Sequence, residues 1–99
     1  MRAPPELMEE VYRWVDKAEH DFIAAGYLFE AGEGLTDIVC FHCQQCAEKY
    51  LKSILVLRGV PFPKTHDLRV LHELAKNSAK LRLSLKAIIP LNRYAIEGR

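Results

Sequence analysis

Apolar residues recur at three- and four-residue steps along most of the chain, the repeat of a helix with one buried stripe. In the first such segment they are Leu7, Val11, Trp14, Val15, Ala18, Phe22, Ala25 and Phe29, which predicts a helix of about seven turns. Pro4 and Pro5 stand at its start, where a missing N–H costs nothing, and the glycines of "EAGEGL" end it. A second helix is expected from Thr36 or Asp37 to Arg58, stopped by Gly59 and "VPFP". In "KTHDL", Thr65 is the expected N-cap and Asp67 falls in the first turn, where negative charge suits the helix dipole. Leu68, Leu71, Leu74 and Ala75 are the stripe of that third helix. The last segment, Leu83 to Ile96, is apolar at Leu85, Ile88, Ile89, Leu91, Ala95 and Ile96, with Pro90 inside it. That proline predicts a kink or a fresh helix start. No strand alternation of comparable length, no repeat and no linker interrupts the pattern. Residues 1–99 therefore read as a single all-α domain, an antiparallel bundle of four to five helices.

The second helix holds all three cysteines. At about 100° per residue, Val39, Cys40, Cys43, Cys46, Ala47, Tyr50, Leu51, Ile54 and Leu57 share one side. The thiols thus belong to the apolar stripe, and with no fourth cysteine in the chain the C-x2-C-x2-C spacing reads as core packing, with no metal expected. His42 and Cys46 are one turn apart, but a Cys–His nucleophile also needs an orienting group and an electropositive setting, and neither is legible. Phe41, Gln44, Glu48, Lys52 and Leu55 line a second, mixed face, while His42, Gln45, Lys49 and Ser53 fall opposite the cysteine stripe. Two readings of the mixed face stand open. It is either the far side of a central helix buried on two sides, or a homodimer interface centred on Phe41 and Leu55, with Glu48 and Lys52 beside them.

Charge narrows the partners only slightly. Fourteen Lys and Arg against thirteen Asp and Glu leave a formal +1, so contact with nucleic acid has to come from a local cluster. The N-terminus has no apolar run of signal-peptide length, and no segment approaches the roughly 20 apolar residues of a membrane span. These features predict a cytoplasmic protein with reduced thiols and no membrane contact.

The stretch "FHCQQCAEKYLKSILVLRGVPFPKTHDLRVL", Phe41 to Leu71, resembles the signature of the HEPN family, helical domains of prokaryotes and higher eukaryotes tied to nucleotide binding. The matching elements are the Phe with Gln-Gln and Ala-Glu-Lys, the Leu-Lys, a glycine turn with a proline, and Thr-His-Asp-Leu. "KAEHDFIAAGYL" is similar to the family's first helix and "LNRYAIEGR" to its last. The resemblance implies an antiparallel helical bundle, commonly a homodimer. It also implies a prokaryotic setting beside a minimal nucleotidyltransferase, in a two-component or toxin–antitoxin pair. Many members are metal-independent RNases, with an Arg, four to six residues and a His on the late helix. Neither Arg93 nor Arg99 has a following histidine in this sequence. Arg13 and His20 have the spacing but lie on the first helix, where both read as solvated.

Three expectations follow. The first is a dimer that binds a nucleotide or a partner without chemistry of its own. Its phosphate ligands would be Lys64, His66 and Arg69 at the "KTHD" helix start, with Arg93 and Arg99 from the last helix; His66 read simply as a packing residue is the alternative there. The second is an RNase whose catalytic histidine lies outside this chain, since the last helix ends without a cap and relatives continue past the arginine. The third is a non-catalytic structural interaction module. None calls for a cofactor.

Overall fold

The computed structural model describes residues 4–78. Among them are three helices and no strand: α1 (Pro5–Ala31), α2 (Thr36–Leu57) and α3 (Leu68–Ser78). None of these helices is long and apolar enough to cross a membrane. The segment from Leu83 to Ile96, where a fourth and fifth helix are expected, lies outside the described residues, as do Arg93 and Arg99.

Helices α1 and α2 form an antiparallel hairpin across the turn at residues 32–35. Trp14 of α1 meets Lys52 near the end of α2, and Asp21 meets His42 and Lys49 nearer its middle. The seam between them is built on small side chains. Val11, Ala18 and Ala25 recur every seven residues and all are buried, Ala18 completely, so the backbones approach closely. Trp14 and Asp21, also seven apart, run along the same seam.

The stripe expected on α1 is only half realised. Phe22 is 68% exposed and Phe29 75%, although both fall in helical phase with the buried alanines. Among the described residues α2 alone packs on α1, and one helix covers a narrower arc than the apolar arc of α1, so the outer edge of the stripe stays exposed.

The second core lies between α2 and α3, where Leu51, Leu55, Leu68, Leu71 and Ala75 form one cluster. What shapes it is the end of α2. Gly59 adopts φ 68°, the Val60 N–H donates to the Leu55 carbonyl at 2.9 Å and the Gly59 N–H to the Val56 carbonyl at 3.1 Å. This is the double closure of a Schellman motif, with Val60 packed on the cluster as its hydrophobic partner. The chain then doubles back along α2, Phe62 adding to the cluster and His66 reaching Glu48. Helix α3 begins later than the expected cap at Thr65. Asp67 is the residue that caps it, its Oδ1 accepting the Arg69 N–H at 3.0 Å and its carbonyl the Leu71 N–H at 3.3 Å. Thr65 Oγ1 accepts the Asp67 N–H at 3.0 Å, one step earlier.

Candidate functional site

The most unusual chemistry is polar and internal. Asp21 sits in the α1–α2 seam with 9% of its surface exposed. His42 Nδ1 donates to its Oδ1 at 2.8 Å, and the Lys49 ammonium pairs with Oδ2. His42 and Lys49 are seven residues apart on α2, so both reach the same carboxylate from one face of that helix. A carboxylate between two donors is satisfied on both oxygens, which is the condition for burying it. The Phe41 ring lies edge-on to the imidazole, 5.5 Å between centroids at 77°. His42 therefore turns to Asp21 instead of Cys46, and the Cys–His pairing is not formed.

A second network joins α2 to the loop before α3. Glu48, 2% exposed, accepts Lys52 Nζ at 3.2 Å on Oε2, and on Oε1 both Gln44 Nε2 at 3.2 Å and His66 Nδ1 at 2.9 Å. Gln45 Nε2 donates to Gln44 Oε1 at 2.7 Å, and Gln44 Nε2 also lies 3.5 Å from the His66 carbonyl. The Lys52 ammonium stands 5.3 Å from the centre of the Trp14 ring, which also receives Lys17 at 5.5 Å. One chain of contacts thus runs from the loop through α2 to α1. The Glu48–Lys52 pair is visible in the sequence as an i,i+4 spacing; its extension to His66 and Trp14 is not.

The burial of the mixed face supports the central-helix reading. Leu55 has no exposed surface and belongs to the α2–α3 core, and Glu48 and Lys52 are 2% and 7% exposed. Their side chains are spent within one chain, which leaves them no surface for a second copy. Phe41 is half-buried. Helix α2 is therefore the central helix, buried toward both neighbours. The same fact corrects the reading that the side opposite the cysteine stripe lies away from the core, because Gln45 and Ser53 are buried and His42 and Lys49 half-buried.

The cationic candidates fall into three groups. Lys64 is exposed and forms no ion pair among the described residues. His66 is tied to Glu48, with 43% of its side chain still open to solvent. Arg69 holds Asp67 by two nitrogens, Nε and Nη2, at 3.3 and 3.2 Å, so much of its charge is met by the capping carboxylate, which in turn raises the Arg69 pKa. The structure thus brings Lys64, His66 and Arg69 to the start of α3. Arg93 and Arg99 lie outside the described residues.

All three cysteines are free. Burial and the neighbouring Cys40 push the Cys43 thiol above its ordinary pKa; burial, then Asp21 and Cys43, push Cys46 the same way against the lowering effect of Lys49. Raised thiols are poor nucleophiles at neutral pH. No cluster of His, Cys, Asp and Glu with metal-holding geometry occurs among the described residues.

The sequence from residue 11 to 99 matches the model of the HEPN domain. The chain belongs to the HEPN family. Membership extends over all three helices from the second turn of α1 onward, and it agrees with their all-helical arrangement. Neither a curated protein nor a solved structure matches this HEPN chain.

Proposed function

We propose that this HEPN domain works by binding, without cleavage. In this reading it is a cytoplasmic homodimer that takes up a nucleotide or RNA phosphate and acts with a minimal nucleotidyltransferase-type protein, in a two-component or toxin–antitoxin pair. One observation carries it: the histidines of the family signature are committed to structure. His42 and His66 each turn Nδ1 to a buried carboxylate that joins two parts of the fold. Gly98 and Arg99 stand where a histidine four or five intervening residues beyond Arg93 would lie. A binding role needs only cations and helix-end amides. Lys64, beside His66 at the start of α3, is the exposed cation of that set, and Arg93 and Arg99 are the further candidates.

The test is a thermal melt of the full chain with ATP, GTP or a short RNA. Ligand at ten times its Kd stabilises the native state by roughly 1.4 kcal/mol, which raises the midpoint of a domain this size on the order of 5–10 °C. Loss of that rise in Lys64→Ala or Arg93→Ala assigns the site. A midpoint unmoved by any of the three ligands refutes the nucleotide reading.

A further inference from the structure

We infer that the surface joining two copies of this chain is the outer face of the hairpin tip, the C-terminal half of α1 with the first turns of α2, centred on Gly26. This deepens the homodimer reading and rests on it. Phe22, Ile23, Tyr27 and Phe29 of α1 are 68, 53, 75 and 75% exposed. Taking about 200 Å² for a side chain of their size, these four alone present on the order of 500 Å². That is more than half of the roughly 800 Å² that a dimer of standard size takes from each partner, and the half-buried Val39 and Cys43 adjoin it.

The relief of the face points to a second copy as occupant. Phe22 and Phe29 stand one turn before and one turn after Gly26, and both project into solvent. One hollow lies between them and a second adjoins it, the two sharing Ile23 and Gly26. One, about 360 Å³, runs from Phe22 and Phe29 to Val39 and Cys43; the other, about 230 Å³, is bounded by Tyr27 and Glu30. Bulky knobs and a glycine-floored hollow on the same patch are what a two-fold interface requires, since each copy must supply both shapes. Gly26 has open space where a side chain would stand. A mid-helix glycine is a standing cost to α1, and a close crossing of a partner helix there accounts for it.

Charge gives the interface a distinctive signature. All fourteen Lys and Arg lie outside residues 18–48, whereas Glu19, Glu30, Glu33 and Asp37 lie within them, and all four are exposed. Two copies meeting here bring acidic rims together, so their association tightens as salt screens the rims.

The experiment is sedimentation equilibrium of the full chain across a salt series, for wild type, Gly26→Trp, Phe22→Asp and Phe41→Asp, with a circular dichroism melt of each. A dimeric wild type that tightens with salt is expected. Gly26→Trp, whose Cβ meets nothing within its own chain and whose ring occupies the hollow, should stay folded and weaken the dimer about tenfold or more. Phe22→Asp should do the same. A dimer that persists unchanged in both variants, or that loosens as salt rises, overturns this placement; if Phe41→Asp alone gives a folded monomer, the dimer stands and its contact lies at Phe41. A monomeric wild type removes the homodimer reading itself.

Discussion

Replacing Glu48 by leucine probes the network that links α1, α2 and the loop before α3. The substitution removes the acceptor of Lys52, Gln44 and His66 at once. It leaves the Lys52 ammonium, 8% exposed at its side chain, without its carboxylate, and removing one partner of a buried pair costs about 3–5 kcal/mol. The Trp14 ring beside Lys52 returns only about 0.5–2 kcal/mol of that. A net loss of about 1–4.5 kcal/mol is expected, and because the pair itself is near break-even against apolar replacements, Glu48→Leu with Lys52→Met should recover most of it. Urea denaturation followed by fluorescence of Trp14, the one tryptophan, reads both variants through a side chain in the network. A Glu48→Leu loss below about 1 kcal/mol, the level of an exposed pair, would refute the claim that these charges are buried and mutually dependent. So would a double variant no better than the single.

Other expectations follow from the same geometry. Asp21→Asn keeps the shape but removes the charge between His42 and Lys49, and should cost about 2–3 kcal/mol in the same urea assay. Gly59→Ala forces a side chain into φ 68° and should cost about 1–2 kcal/mol, with the m-value unchanged. Because the folded state holds the Cys43 and Cys46 thiols above their ordinary pKa, their stabilising effect is full below the unfolded thiol value, about 8.5. It is lost as pH rises beyond that through the folded values. Stability measured from neutral pH upward should therefore fall less steeply in Cys43→Ser with Cys46→Ser than in wild type.

Much of this arrangement is legible in the sequence, for reasons that differ from element to element. Pro5, Gly32 and Gly59 mark helix ends because proline and glycine act through the backbone itself, whatever surrounds them. The cap of α3 was harder to place: Thr65 and Asp67 both offer a side-chain oxygen, and the path of the loop, pinned by His66 to Glu48, selects Asp67. Periodicity misleads on α2 because it assumes one buried face. A central helix has two, so Gln45, Ser53 and Leu55 are buried in directions that a single stripe assigns to water or to a partner. On α1 the error runs the other way, with Phe22 and Phe29 in phase with Ala18 and Ala25 but beyond the reach of the neighbouring helix. The Asp21–His42–Lys49 cluster has a signal on each helix: Asp21 borders the apolar stripe of α1, which suits a carboxylate that pairs with a buried lysine or sits at the rim, and His42 and Lys49 are seven residues apart on α2. What joins them is an acid from another helix, and pairing across helices is not written in local spacing.

The most direct measurement of binding without cleavage is a labelled short RNA incubated with excess purified chain, each sample split between a native and a denaturing gel. Binding without cleavage gives a retarded band on the native gel and intact RNA on the denaturing one, with retardation weakened in Lys64→Ala. Cleavage products that follow the protein through purification and disappear in Arg93→Ala would contradict it, and would make this HEPN chain a nuclease.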